Sequence, residues 1–122
     1  MNNSSQADVI IFMTDEERAI PPYETQEVIE WRDRTLAGRN WFKENGVCFN
    51  RHYTGSLACV PSRPTLFTGQ FPDVHGVTQT NGLGKDEYDS RMRWLLPREV
   101  PTIGHWFRAA GYDTHYDGKW HM

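Results

Sequence analysis

The sequence has only two cysteines, Cys48 and Cys59, no long apolar run and no block of basic residues. Two cysteines are too few for a disulfide scaffold or for a zinc site built on thiolates. Without a long apolar run we expect no transmembrane helix and no membrane partner. A net charge of −3 without a basic block argues against nucleic acid as a partner. Residues 1–8 lack the charged and apolar parts of a signal peptide, so we expect a cytoplasmic location.

Hydrophobic residues make up 38% and charged residues 24% of the 122 residues, which is typical of one small folded domain. The β-branched apolar run at 8–13 predicts a buried strand of a parallel sheet. Further strands are predicted at 47–53 and 112–116, and helices at 25–36, 39–44 and 101–110. This alternation predicts an α/β fold with a partial parallel sheet flanked by helices. Ligands of such sheets bind beyond the carboxyl ends of the strands, where Asp15, Cys59 and Lys119 fall.

The stretch LACVPSRPTLFTG, residues 57–69, places Cys59, Ser62 and Arg63 within five positions. A cysteine phosphatase needs five residues between its cysteine and its arginine, whereas three intervene here and Pro61 donates no amide. The local pattern of a cysteine protease is also absent. Ser62 is a possible nucleophile, but the sequence offers it no paired His and Asp. We expect Ser62 to cap a helix that starts near it, or to serve recognition by a modifying enzyme.

Residues 59–69 resemble the type I sulfatase signature C-x-P-S-R-x-x-L-x-T-G at every fixed position. Residues 9–17, VIIFMTDEE, resemble the first strand of that family with its metal-binding acidic pair. Residues 111–122 resemble the family segment that contains G-K-W-H. The three blocks occur in family order, so residues 1–122 resemble the N-terminal portion of a sulfatase catalytic domain of the alkaline phosphatase superfamily. The resemblance implies a sulfuric ester hydrolase that acts on a sulfate ester, either a small molecule or a glycan.

The resemblance also implies that Cys59 is oxidised to formylglycine by a formylglycine-generating or other sulfatase-maturing enzyme. A hydrated aldehyde supplies two hydroxyl groups, one for a hard cation that a thiol would bind poorly and one for attack. By the same resemblance Arg63 hydrogen-bonds the formylglycine, and Lys119 contacts the sulfate and the formylglycine. His121 contacts the formylglycine hydroxyl and acts as the base that releases sulfate.

Asp15, Glu16 and the modified Cys59 are the expected ligands of Ca²⁺, or of another divalent cation such as Mg²⁺ or Mn²⁺. Asp15 matches the family, whereas Glu16 is one methylene longer than the usual second aspartate. Because Ca²⁺ takes roughly six to eight oxygen ligands, these residues cannot complete the site. We therefore expect the chain to be an N-terminal piece that lacks a C-terminal portion and is inactive by itself.

Two alternatives remain open at this point: a phosphonate or phosphodiester hydrolase of the same superfamily, and a catalytically inactive sulfatase fragment. Cys48 lies in a predicted strand, where we expect a buried free thiol. The remaining histidines are expected to be structural rather than catalytic; they are His52, His75, His105 and His115.

Overall fold

The computed structural model of the chain describes residues 6–122. The signal-peptide prediction rested in part on residues 1–5, which lie outside the described residues. The chain divides into two compact units, Met1–Cys48 and Phe49–Met122, and each is described by itself. In the described part of both units, no helix is long and apolar enough to cross a membrane.

The first unit contains two helices, α1 (Gln26–Thr35) and α2 (Ala37–Asn45), close to the two predicted there. Arg32 of α1 donates two hydrogen bonds of 2.6 Å to the Glu24 carboxylate just before the helix. This bidentate hydrogen bonding lowers the pKa of Glu24. Between residues 6 and 48 no residue is buried, so this unit has no core of its own.

The second unit contains α3 (Cys59–Thr68), α4 (Pro72–His75) and α5 (Ile103–Ala109). Gly69 ends α3 with a left-handed backbone (φ 71°), a conformation that glycine adopts without a Cβ clash. The short helix α4 was not predicted. Helix α5 lies within its predicted range, and Thr102 and His105 cap its first turn reciprocally.

The core of the second unit is built around α3. Val60 and Pro64 of this helix are fully buried, and so is Val77 beyond α4. Helix α3 packs against both α4 and α5. At its far end the ring of Phe67 stacks on Trp120, with 5.5 Å between the ring centroids. Among the helices of residues 6–122, the one that carries the cysteine motif therefore contains the most buried residues.

The parallel sheet stays a prediction. Within residues 6–122 no strand forms, and the one pairing is an isolated bridge between Gly82 and Lys85. Apolar side chains of the run at 8–13 are exposed, with Phe12 80% accessible. The physical reason is that strands exist only as hydrogen-bonded pairs, and an apolar pattern supplies no partner. Cys48, predicted to be buried in the second strand, is an exposed free thiol, so the prediction of its burial is wrong.

Candidate active site

Cys59 is the first residue of α3, and the residues around it fix this start. Ala58 has a β-region backbone, and its carbonyl accepts a hydrogen bond from the Ser62 amide at 3.0 Å. Ser56 Oγ in turn accepts one from the Ala58 amide at 3.2 Å. The Cys59 side chain is half-buried, and its Sγ lies 3.7 Å from Oγ1 of Thr80. Residue 59 thus lies at the positive end of the helix dipole and beside a hydroxyl group.

Arg63 lies one turn along α3 and is buried, with 6% of its surface exposed. Its Nη1 donates to Oη of Tyr116 at 3.4 Å and to the backbone carbonyl of Lys119. The Tyr116 hydroxyl donates to the same carbonyl, whose oxygen has two lone pairs and accepts both. Arg63 therefore attaches the segment that contains Lys119 to the helix that begins at Cys59.

The residues after Lys119 lie against the same unit. Trp120 packs on α3 through Phe67, and Met122 is buried with 6% of its surface exposed. Lys119 itself is exposed although its carbonyl is held. The predicted catalytic lysine is thus held at its backbone carbonyl, in a residue that is exposed as a whole.

His121 is half-buried and contacts two residues far from it in sequence. Its Nε2 is 2.9 Å from Oδ1 of Asn81, and its ring lies at 38° to that of Trp94, with the centroids 5.8 Å apart. Asn81 follows Thr80, whose Oγ1 donates to the Asn81 carbonyl at 3.3 Å. The structure therefore connects His121 with Cys59 through two consecutive residues, Thr80 and Asn81.

Ser62 does not cap the helix. Since α3 begins three residues earlier, at Cys59, Ser62 lies inside the first turn and that prediction is wrong. Its Oγ is 2.9 Å from Oγ1 of Thr54, and Thr54 donates its own proton to the Ser56 carbonyl at 2.8 Å. The Ser62 hydroxyl consequently donates to Thr54, and this acceptor is a hydroxyl group rather than a general base.

His75 is a buried structural residue that contacts Thr65 of α3. It is 1% exposed, and its Nδ1 accepts a hydrogen bond from the Val77 amide at 3.2 Å. The ring proton is therefore on Nε2, which lies 3.1 Å from Oγ1 of Thr65. The Thr65 hydroxyl donates a hydrogen bond of 2.9 Å to the carbonyl of Pro61 in the first turn of α3. Burial lowers the pKa of His75, which keeps the ring neutral.

The predicted metal ligands Asp15 and Glu16 belong to the first unit, and Cys59 belongs to the second. Glu16 has a left-handed backbone (φ 60°), and the neighbouring Glu17 accepts a hydrogen bond of 2.7 Å from Thr14. Among residues 6–122 no three His, Cys, Asp or Glu side chains are placed to hold a metal ion together. The metal ligands Asp15, Glu16 and Cys59 therefore stay a prediction.

Of the predicted catalytic residues, the structure links Cys59, Arg63 and His121 and the backbone of Lys119. Sequence reasoning missed the residues that make these links, namely Thr80, Asn81, Trp94 and Tyr116. Thr80 and Asn81 lie in a glycine-containing loop and are of residue types common in any turn. No pattern in the sequence distinguishes them, because their partners are 21 and 40 positions away.

The family model described as Sulfatase matches residues 8–122 of the chain. An uncharacterized sulfatase of Escherichia coli (strain K12), YidJ, is 36% identical over 78 residues. A delta 4,5-hexuronate-2-O-sulfatase of Bacteroides thetaiotaomicron is 36% identical over 76 residues. The human N-acetylgalactosamine-6-sulfatase is 30% identical over 78 residues. No solved structure matches the chain.

These alignments cover 62% to 63% of the chain and 13% to 15% of the relatives. The chain therefore spans about a seventh of the length of the curated relatives that it matches.

Proposed function

The chain belongs to the sulfatase family, and from that membership we propose that it forms part of the active site of a sulfuric ester hydrolase. One observation carries the proposal beyond family membership. Cys59 begins α3, and both Arg63 and the segment of Lys119 and His121 are joined to the same unit by side-chain hydrogen bonds. Cys59 and Arg63 belong to α3, Arg63 bonds the Lys119 carbonyl and His121 bonds Asn81, and these contacts support the proposal.

Residue 59 is the nucleophile in this proposal, after oxidation to formylglycine by a sulfatase-maturing enzyme. In its hydrated form formylglycine supplies a hydroxyl group that attacks the sulfur of the ester, while the bond from sulfur to the alcohol oxygen breaks and the alcohol takes up a proton and leaves. Loss of the proton from the second hydroxyl group then breaks the bond from carbon to the sulfated oxygen, which releases sulfate and restores the aldehyde. Two features of the chain suit that chemistry. The Thr80 hydroxyl next to Sγ is a hydrogen-bonding partner for oxygen, and the first amides of α3 favour an anionic group at the start of the helix.

Five further residues have roles in the proposal. Arg63 contributes a fixed positive charge one turn from residue 59. The ammonium group of Lys119 binds the sulfate, as the resemblance implies, and the hydrogen bond from Arg63 to the Lys119 carbonyl fixes the backbone of that residue. His121 takes a proton from the hydroxyl of residue 59 when sulfate is released. Asp15 and Glu16 are proposed ligands of Ca²⁺, Mg²⁺ or Mn²⁺, and the rest of the shell comes from other parts of the enzyme.

The proposed substrate is a sulfate ester, with a sulfated glycan as the favoured class. Two of the relatives are named for sulfated sugars, N-acetylgalactosamine 6-sulfate and a hexuronate 2-sulfate. The relatives are sulfatases, and no observation favours a phosphonate or phosphodiester substrate. The cytoplasmic location stays part of the proposal.

The test uses the enzyme that contains this segment, produced together with a sulfatase-maturing enzyme. We expect the intact mass to fall by the exchange of SH₂ for O at Cys59, and an aryl sulfate to be hydrolysed in the presence of Ca²⁺. An aryl phosphonate monoester serves as the competing substrate. Preference for the phosphonate, or full activity without the mass change, would contradict the proposal.

A further inference from the structure

We propose that Asn81 is a positioning residue that sets the orientation and the protonated nitrogen of His121. The inference rests on the proposed function, in which His121 is the base. It is carried by the 2.9 Å hydrogen bond between Oδ1 of Asn81 and Nε2 of His121, which joins residues 40 positions apart.

The hydrogen bond defines the tautomer of the ring. The amide oxygen of Asn81 only accepts hydrogen bonds, so Nε2 of His121 has to carry the proton. In the neutral imidazole the lone pair is then on Nδ1. Asn81 thereby determines which nitrogen of the proposed base is able to take a proton.

The hydrogen bond to Asn81 also helps to hold the backbone conformation of His121. His121 has φ 49°, a left-handed conformation that is uncommon for residues other than glycine and costs energy. Such a conformation persists where surrounding contacts hold it. The ring is held on one side by Asn81 and packs on Trp94 on another, and the following Met122 is buried.

Thr80 connects this arrangement to the nucleophile position. Its Oγ1 donates a hydrogen bond to the Asn81 carbonyl and lies 3.7 Å from Sγ of Cys59. Because the Thr80 proton is already used, the Cys59 thiol is the donor in the contact with Thr80. Consecutive Cα atoms are about 3.8 Å apart, so one peptide unit separates the residue that touches Cys59 from the one that holds His121. The loop of Thr80 and Asn81 thus sets the spacing between the proposed nucleophile and the proposed base.

The first part of the test is spectroscopic and uses the 122-residue chain. Ring ¹⁵N chemical shifts distinguish the two neutral tautomers of histidine. We expect the His121 proton on Nε2 in the wild type and in Asn81→Asp, which keeps an oxygen acceptor, and shared between both nitrogens in Asn81→Ala. Gln79→Ala is the matched control, because Gln79 has an amide side chain in the same loop and is exposed.

The second part is kinetic and uses the mature enzyme with an aryl sulfate. A misplaced general base typically costs about 10- to 100-fold in rate. We expect Asn81→Ala to lower kcat by about that factor with little change in KM, Asn81→Asp to retain most of kcat, and Gln79→Ala to leave both unchanged. Where Asn81→Ala does not fold, Asn81→Gln displaces the acceptor by one methylene and is expected to act in the same direction.

The two parts separate the two hypotheses. An unchanged ring signal of His121 in Asn81→Ala overturns the positioning role whatever the enzyme hydrolyses. A shifted ring signal in an enzyme without sulfate hydrolysis supports the positioning role and contradicts the proposed function. A loss of kcat that Asn81→Asp does not recover overturns the positioning role, because the acceptor is then not what matters.

Discussion

The two units of the chain differ in how firmly they hold the residues of the proposed site. In Phe49–Met122, buried residues surround α3, and side-chain hydrogen bonds hold Arg63 and His121. The described part of Met1–Cys48 has no buried residue, and its acidic pair, Asp15 and Glu16, lies in a bend between exposed segments. The cysteine motif therefore lies in a helix that contains buried residues, whereas no residue near the acidic pair is buried.

The largest effect is expected at the nucleophile. Cys59→Ala should lower turnover of an aryl sulfate by the mature enzyme at least about 10³-fold, because groups that act as a unit lose most of their effect together. Cys59→Ser should do the same unless a serine-type maturing enzyme is present. Cys48→Ala is the control from the other unit and should keep full activity, since this thiol is exposed. Substantial activity in Cys59→Ala would remove the formylglycine assignment.

The second effect concerns Arg63 and its partners. Arg63→Met keeps the stem but removes the guanidinium that bonds Tyr116 and the Lys119 carbonyl, so the free energy of unfolding should fall by about 2 kcal/mol. In the first unit, Arg32→Met should cost clearly less, because the ion pair with Glu24 is close to solvent. Urea denaturation of the 122-residue variants measures both. Equal losses of unfolding free energy in Arg63→Met and Arg32→Met would contradict the prediction that the hydrogen bonds of Arg63 contribute more to stability.

The third prediction concerns the acidic pair in the mature enzyme. Asp15→Asn should weaken calcium binding by about tenfold, or ~1.4 kcal/mol, through the loss of one carboxylate charge. Glu16→Gln should weaken it less, because only Asp15 matches the family at its position. Calorimetric titration with Ca²⁺ gives both affinities. An unchanged affinity in Asp15→Asn would exclude this residue from the metal site.

The smallest effect is a pH dependence caused by His75. Burial lowers the pKa of this ring and Arg93 acts in the same direction, while Asp73 raises the pKa by less than burial lowers it. The folded state therefore binds the proton less tightly than the unfolded state, whose His pKa is about 6.5. The contribution of neutral His75 to the free energy of unfolding is therefore fully present above about pH 6.5 and is lost as the pH falls below it. The free energy of unfolding changes by at most about 1.4 kcal/mol per pH unit in this range.

Urea denaturation at several pH values checks this prediction. His75→Gln should flatten the dependence between about pH 7.5 and 5, since the amide does not titrate in that range. His52→Gln is the control, because His52 is exposed and should leave the dependence as it is. The same slope in His75→Gln and in the wild type would mean that another group causes it.

The sequence was sufficient for elements that local rules define. The apolar spacing and the end signals predicted α1, α2 and α5, and the cysteine motif predicted a helix that starts near Ser62. The start of α3 was predicted too late. A serine is a common capping residue, but here Ala58 is the residue before the first turn, and no side chain caps it.

Strands and supporting contacts could not be predicted in the same way. A strand depends on a partner elsewhere in the chain, so the apolar run at 8–13 indicates a preference and not a structure. Asn81 and Tyr116 reach their partners through the tertiary fold, and residues of these types occur in many loops. The motif thus indicates which residues we expect to take part, and the fold determines which contacts hold them.

The hydrogen bond between Arg63 and the Lys119 carbonyl has a consequence for the order of events during synthesis. The two residues are 56 positions apart, and a ribosome adds about 5 to 20 residues per second. About 3 to 11 s therefore pass between the translation of Arg63 and that of its partner. All residues of α3, Cys59 included, are therefore synthesised several seconds before the segment that Arg63 bonds. Any modification of Cys59 that has to precede this bond has that interval on the nascent chain.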